Sequence, residues 1–126
     1  MDITEDQVDR ITASMLHNAG IPANLTGYQY VKKAIILVYN DSKLINAITK
    51  ELYPEVAKVF GTTPSRAERA IRHAIEVAWD RGDMDTLQML FGYTVSYEKG
   101  KPTNSEFIAL MAEQLKFKIE DICRKH

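Results

Sequence analysis

Cysteine is nearly absent from this chain: Cys123 is the only one. No internal disulfide can form, and no cysteine cluster is available to hold zinc. No apolar run approaches the ~18 residues that a membrane-spanning helix needs. The N-terminus, Met1-Asp2-Ile3-Thr4-Glu5-Asp6, is acidic and lacks the basic and apolar regions of a secretion signal, so a cytoplasmic location is expected. A strong charge of either sign is also missing, since the formal net charge is −1. Glycines are few and dispersed among turns, so there is no phosphate-cradling loop. His17, His73 and His126 have no metal-ligand spacing, and no nucleophile motif frames any serine. No enzyme activity, cofactor or metal is expected.

What remains is ordinary for one globular domain: 126 residues, 45% hydrophobic and 26% charged. The charge is unevenly placed. Asp2, Glu5, Asp6 and Asp9 are opposed at the N-terminus only by Arg10. Between positions 58 and 81 the balance reverses, with Lys58, Arg66, Arg69, Arg72 and Arg81 against Glu68, Glu76 and Asp80. Binding to a polyanion depends on where cations sit, not on their average, so near-neutrality does not exclude nucleic acid.

Helical periodicity runs through the chain, and the fold class expected is all-α, a single compact domain of about six helices. Thr4-Glu5-Asp6-Gln7 is a capping-box pattern flanked by Ile3 and Val8, a hydrophobic staple. Val8, Ile11, Met15 and Leu16 continue it, and Gly20 and Pro22 end it. A second helix is expected just after Gly27, burying Val31, Ala34, Ile35 and Val38 with Lys32 and Lys33 facing out. A break at Asn40-Asp41-Ser42 leads to a short helix carrying Leu44, Ile45 and Ile48. Pro54 suits the first turn of the next helix, which Gly61 interrupts. A long helix over 65–81 follows, then a short one over 84–91 and a loop with a brief strand at 93–95. Thr103-Asn104-Ser105-Glu106 repeats the capping box and opens the last helix, with Ile108, Met111, Leu115, Ile119 and Ile122 on one side.

The segment 53–81 has the form of a helix-turn-helix: two helices around a glycine turn, the second longer and more basic. At about 100° per residue, Ala67, Ala70, Ile71, Ala74, Val77 and Ala78 form one apolar stripe. Ser65, Glu68, Arg69, Arg72 and Glu76 lie opposite, with Arg66 and His73 on a flank and Trp79 away from the stripe's centre. Arginine can donate two parallel hydrogen bonds to guanine O6 and N7, and a glutamate can accept from cytosine N4. Arg66 and Lys58 are better placed for phosphates, and Ser65 with the helix N-terminal amides for another. Alternating Glu and Arg usually marks a merely solvated helix face. The turn before it, the alanine-rich inner side and the arginines gathered at one end favour DNA binding. The competing function is a helical protein-interaction module that docks a transcription partner without reading sequence.

Longer runs carry a resemblance. Leu52-Tyr53-Pro54, Ala57-Lys58, Ser65-Arg66, and the stretch from Glu68-Arg69-Ala70-Ile71-Arg72-His73 through Trp79 resemble the C-terminal effector domain of stage zero sporulation protein A. So do Phe91-Gly92-Tyr93-Thr94-Val95-Ser96 and Lys101-Pro102-Thr103-Asn104-Ser105-Glu106-Phe107-Ile108-Ala109, and the likeness spans about residues 3–115. The resemblance implies a response-regulator transcription factor of endospore-forming bacteria, activator and repressor, binding boxes similar to TGTCGAA. Carried over by position, its DNA contacts fall on Glu68, Arg69, Arg72 and His73, with Ser65 and Arg66 at the helix start. A contact segment for the housekeeping sigma factor maps to about 82–95, where Phe91 and Val95 match. Two copies side by side on tandem boxes are implied, with the last helix a candidate homodimer contact. The resemblance implies an N-terminal receiver joined to this domain; no receiver is read in these 126 residues, and an isolated effector domain is expected rather than a natural protein that differs from the family.

Overall fold

The computed structural model describes residues 2–81 and 100–125. Every regular element among them is helical: α1 (Glu5–Asn18), α2 (Thr26–Asn40), α3 (Tyr53–Phe60), α4 (Pro64–Arg81) and α5 (Asn104–Lys125). The expected helix at 84–91 and the strand at 93–95 lie outside the described residues. The all-α reading therefore holds, with five α-helices in the described part where about six were expected of the whole.

Both capping boxes form. At α1 the Gln7 N–H donates to Thr4 Oγ1 (3.1 Å), and the Thr4 N–H donates back to Gln7 Oε1 (2.8 Å). At α5, Glu106 N–H donates to Thr103 Oγ1 and Thr103 N–H to Glu106 Oε1, both at 3.1 Å. Each box satisfies amide donors that a helix start leaves without intrahelical partners. Val8 is buried, and Ile3 is half-buried against the core, as a staple requires.

Helix α2 is the hub. It contacts α1, α3, α4 and α5, and its Val31, Ala34 and Ile35 are fully buried. Phe107, Ile108, Met111 and Leu115 of α5 close the core from one side, and Ile122 is only half-buried at its end. The helix begins at Thr26, so Gly27 lies inside its first turn rather than before it. The reason is packing: a Cβ at Gly27 would lie 2.0 Å from the Ala70 carbonyl oxygen of α4 and 3.0 Å from Ala74 Cβ. This glycine is there to let two helices touch. Lys32 also departs from expectation. It folds back over the Tyr28 ring (5.5 Å to the centroid) and pairs with Asp9 at 3.2 Å, which leaves its side chain 14% exposed.

The short helix expected around Leu44, Ile45 and Ile48 is instead a 3₁₀ segment (Ser42–Ala47) followed by a π turn (Ile48–Leu52). Asp41 caps it, its Oδ1 accepting from Lys43 N–H at 3.2 Å. Leu44, Ile45 and Ile48 are half-buried against the core. Leu52, at the end of the wider turn, is fully buried.

Candidate nucleic-acid interface

The interface is built on the passage from α3 to α4. Gly61 adopts the left-handed conformation (φ 63°, ψ 38°), and nothing within 4 Å would meet a Cβ there. Glycine is needed for the backbone angle, not for space. The N–H groups of Gly61 and Thr62 both donate to the Ala57 carbonyl, which closes α3. Val56 and Ala57 are buried, so the short α3 lies close against α4.

Helix α4 starts one residue earlier than expected. Thr63 caps it: Thr63 Oγ1 accepts from Arg66 N–H (3.2 Å) and the Thr63 carbonyl from Ala67 N–H (2.9 Å). Pro64 takes the first helical position, where its missing donor costs nothing. Ser65 is therefore an exposed residue of the first turn and not its cap. Thr63→Ala is expected to lower stability by about 1 kcal/mol, the usual cost of losing such a cap, whereas Ser65→Ala leaves it nearly unchanged. Urea denaturation of the two variants tests this; the reverse order would make Ser65 the cap instead.

Ala67, Ile71, Ala74, Ile75 and Ala78 are buried, while Ala70, Val77 and Trp79 are half-buried. Ile75 replaces Val77 in the buried stripe, so the inner face is rotated slightly from the ideal wheel. Opposite it, Ser65, Arg66, Arg69, Arg72 and His73 are exposed, and Lys58 is exposed in the last turn of α3. On α4 the expected cations are thus all exposed, and Lys58 is exposed on α3.

Glu68 is the exception, with its side chain only 24% exposed. Its carboxylate pairs with the Arg72 guanidinium one turn along. Glu76, two turns further along α4, pairs with Lys101 at 2.7 Å. The hydrogen bond from Lys101 holds the Glu76 carboxyl below the usual carboxylate range; burial opposes this, and the charges of Lys101, His73 and Arg72 reinforce it. Among the described residues Lys58, Arg66 and Arg69 have no acidic partner. Glu68 and Glu76 are thus each paired with a cation, while Arg66 and Arg69 between and before them carry no such pair, so a formal charge of −1 for the chain does not exclude a locally cationic stretch at the start of α4.

Two contacts behind the face were not read from the sequence. Asn104 Nδ2 donates to the Tyr53 hydroxyl at 3.0 Å and to the Glu68 carbonyl at 3.2 Å, joining α5 to α3 and α4. Burial pushes the Tyr53 phenol above its ordinary pKa; the Asn104 hydrogen bond acts against this, as Arg72 does, and Glu68 adds to it. A cleft of about 820 Å³ lies beside these residues, lined in part by Ile48, Tyr53, Arg72, Lys101 and Asn104. Phe91 and Val95 lie outside the described residues. Among the described residues no group of three or more His, Cys, Asp or Glu is arranged to hold a metal, and no helix is long and apolar enough to cross a membrane.

An all-helical domain that turns a cation-rich helix outward, supported from behind by three others, has the build of a DNA-binding regulatory domain. The match to known families agrees. The family model described as Sporulation initiation factor Spo0A C terminal covers residues 12–115, and the chain belongs to that family. Its members are DNA-binding regulatory domains and not enzymes, and the role is that of a sporulation-related DNA-binding effector.

Proposed function

We propose that α3 and α4 form a helix-turn-helix and that α4 is its recognition helix, entering the major groove of boxes similar to TGTCGAA. The observation that carries this reading is the outward set Ser65, Arg66, Arg69, Arg72 and His73 on the N-terminal half of α4, the end through which such helices commonly meet bases. Arg69, exposed and without an acidic partner, is the principal base reader, donating two hydrogen bonds to a guanine. Arg72, with Glu68 holding its guanidinium, reads a neighbouring base, and His73 extends the contact one residue further. Lys58, Ser65 and Arg66 engage phosphates and fix the register without reading sequence.

Further partners follow from the resemblance alone. The segment 82–95, with Phe91 and Val95, would contact the sigma factor of RNA polymerase. Two copies would occupy tandem boxes with α5, whose Phe117 is exposed, as a homodimer contact.

Fluorescence anisotropy with a box duplex and a scrambled one tests the reading. Specific regulators bind their sites roughly 10³–10⁷ times more tightly than other DNA, and at least about a hundredfold preference is expected here. Equal, weak binding to both at moderate salt would contradict it and leave the α4 face to a protein partner. Within that assay Lys58→Ala is expected to weaken both duplexes alike and to reduce the salt slope by about one. A loss confined to the box would make Lys58 a base reader instead.

A further inference from the structure

We propose that Asn104 is a positioning residue for sequence reading: its amide locks the turn of α4 that carries Arg69 and Arg72 against the first turn of α3. The inference rests on the reading of α4 given above.

Asn104 is the first residue of α5 and only 9% exposed. The cap of α5 does not explain its polarity, because Thr103 and Glu106 already complete the capping box. A buried amide costs stability unless its hydrogen bonds are made, and an apolar residue of similar volume would serve packing as well. What an apolar residue cannot supply is direction. The Asn104 amide spends both of its N–H donors on different helices, the Tyr53 hydroxyl of α3 and the Glu68 carbonyl of α4. That carbonyl, with two lone pairs, also accepts the N–H four residues on, which belongs to Arg72.

Apart from Tyr53, the side chains that α3 and the first half of α4 bury are Val56, Ala57, Ala67 and Ile71, small or aliphatic, so packing there rests on apolar contacts. Such contacts are non-directional and tolerate small axial slips. A bidentate arginine contact does not, since its two hydrogen bonds must both fall near 2.9 Å, a typical N–H···O length. Gly27 bears on the Ala70 carbonyl of the same stretch of α4. Asn104 thus supplies the directional restraint where α2 supplies the steric one.

The test compares wild type, Asn104→Ala, Tyr53→Phe and Arg69→Ala by anisotropy on box and scrambled duplexes, well below each variant's Tm. Asn104→Ala is expected to lower the box-to-scrambled ratio about tenfold, or ~1.4 kcal/mol, with affinity for the scrambled duplex unchanged. Tyr53→Phe should shift the ratio the same way by less. A purely structural role would lower the Tm and leave the ratio intact, and that result would overturn the proposal. If Asn104→Ala does not fold, Tyr53→Phe decides alone, an unchanged ratio again overturning it. Arg69→Ala separates the two levels: if it keeps the ratio, the reading of α4 fails; if it loses the ratio while Asn104→Ala keeps it, only the role of Asn104 fails.

Discussion

Replacing Arg69 by alanine is expected to erase most of the preference for the box while leaving the fold intact. The side chain is exposed on α4, has no acidic partner among the described residues, and lies opposite the buried set Ala67, Ile71, Ala74, Ile75 and Ala78. Exposed substitutions away from caps and networks usually change stability by less than about 0.5 kcal/mol, and alanine is the better helix former. Binding has no such protection. A bidentate arginine–guanine contact contributes roughly 1–3 kcal/mol of discrimination, so the box-to-scrambled ratio should fall about 5- to 150-fold. The scrambled duplex should lose much less, only one cation's share. Arg72→Ala is a less clean experiment because it strips Glu68 of its partner and turns an unneutralised carboxylate toward the phosphates. An Arg69→Ala protein with an unaltered box preference would show that the reading face had been misplaced.

Gly27→Ala should produce the largest loss of stability from the smallest change in side chain. The added Cβ would stand 2.0 Å from the Ala70 carbonyl oxygen and 2.7 Å from its carbon. Neither atom belongs to a flexible side chain, so the helices must move apart. Overpacking of this kind costs about 1–3 kcal/mol, and separating the hub helix from α4 places it at the upper end. The helix-propensity gain of alanine over glycine, about 1 kcal/mol, acts in the opposite direction and is outweighed. For a domain of this size each kcal/mol corresponds to about 4 °C, so a Tm lower by about 5–10 °C is expected in thermal denaturation. An unchanged or raised Tm would mean that propensity alone governs the site and that α2 and α4 do not touch there.

These two residues also mark what could be read without coordinates. Local chemistry was legible: both capping boxes, the Gly61 turn, and the outward placement of Arg66, Arg69, Arg72 and His73 all follow from spacing within a few turns. The long helix begins at Pro64 and not at Ser65 because hydroxyls lie on both sides of Pro64, and only the fold of the turn makes Thr63 the cap. The helix around Leu44 failed for a related reason, since an apolar stripe of that length does not distinguish α from 3₁₀ and π winding. What was not legible was long-range. Gly27 looked like a helix boundary because its partner, Ala70, is far along the chain. Asn104 looked like part of a capping sequence, although its amide faces Tyr53 and Glu68. Lys32 is expected to face out beside the buried stripe of its helix, but Asp9 and the Tyr28 ring draw it inward.

The acidic residues of the interface illustrate the same point. A net charge of −1 speaks against a polyanionic partner only while charges are averaged. With Glu68 tied to Arg72 and Glu76 to Lys101, Arg66 and Arg69 are left as the cations without an acidic partner on the first half of α4. Exposed pairs of this kind add little to stability. Their consequence is for binding, because they decide which charges a phosphate meets.

The central claim is that the exposed face of α4 reads duplex DNA, and amide chemical-shift mapping with a box duplex at moderate salt tests it most directly. The account predicts that the largest perturbations run through residues 63–73 with Lys58, and that a scrambled duplex perturbs the phosphate-facing Lys58, Ser65 and Arg66 but not Arg69. Perturbations centred on α1 or the outer side of α5, with residues 65–73 unmoved by the box duplex, would contradict it.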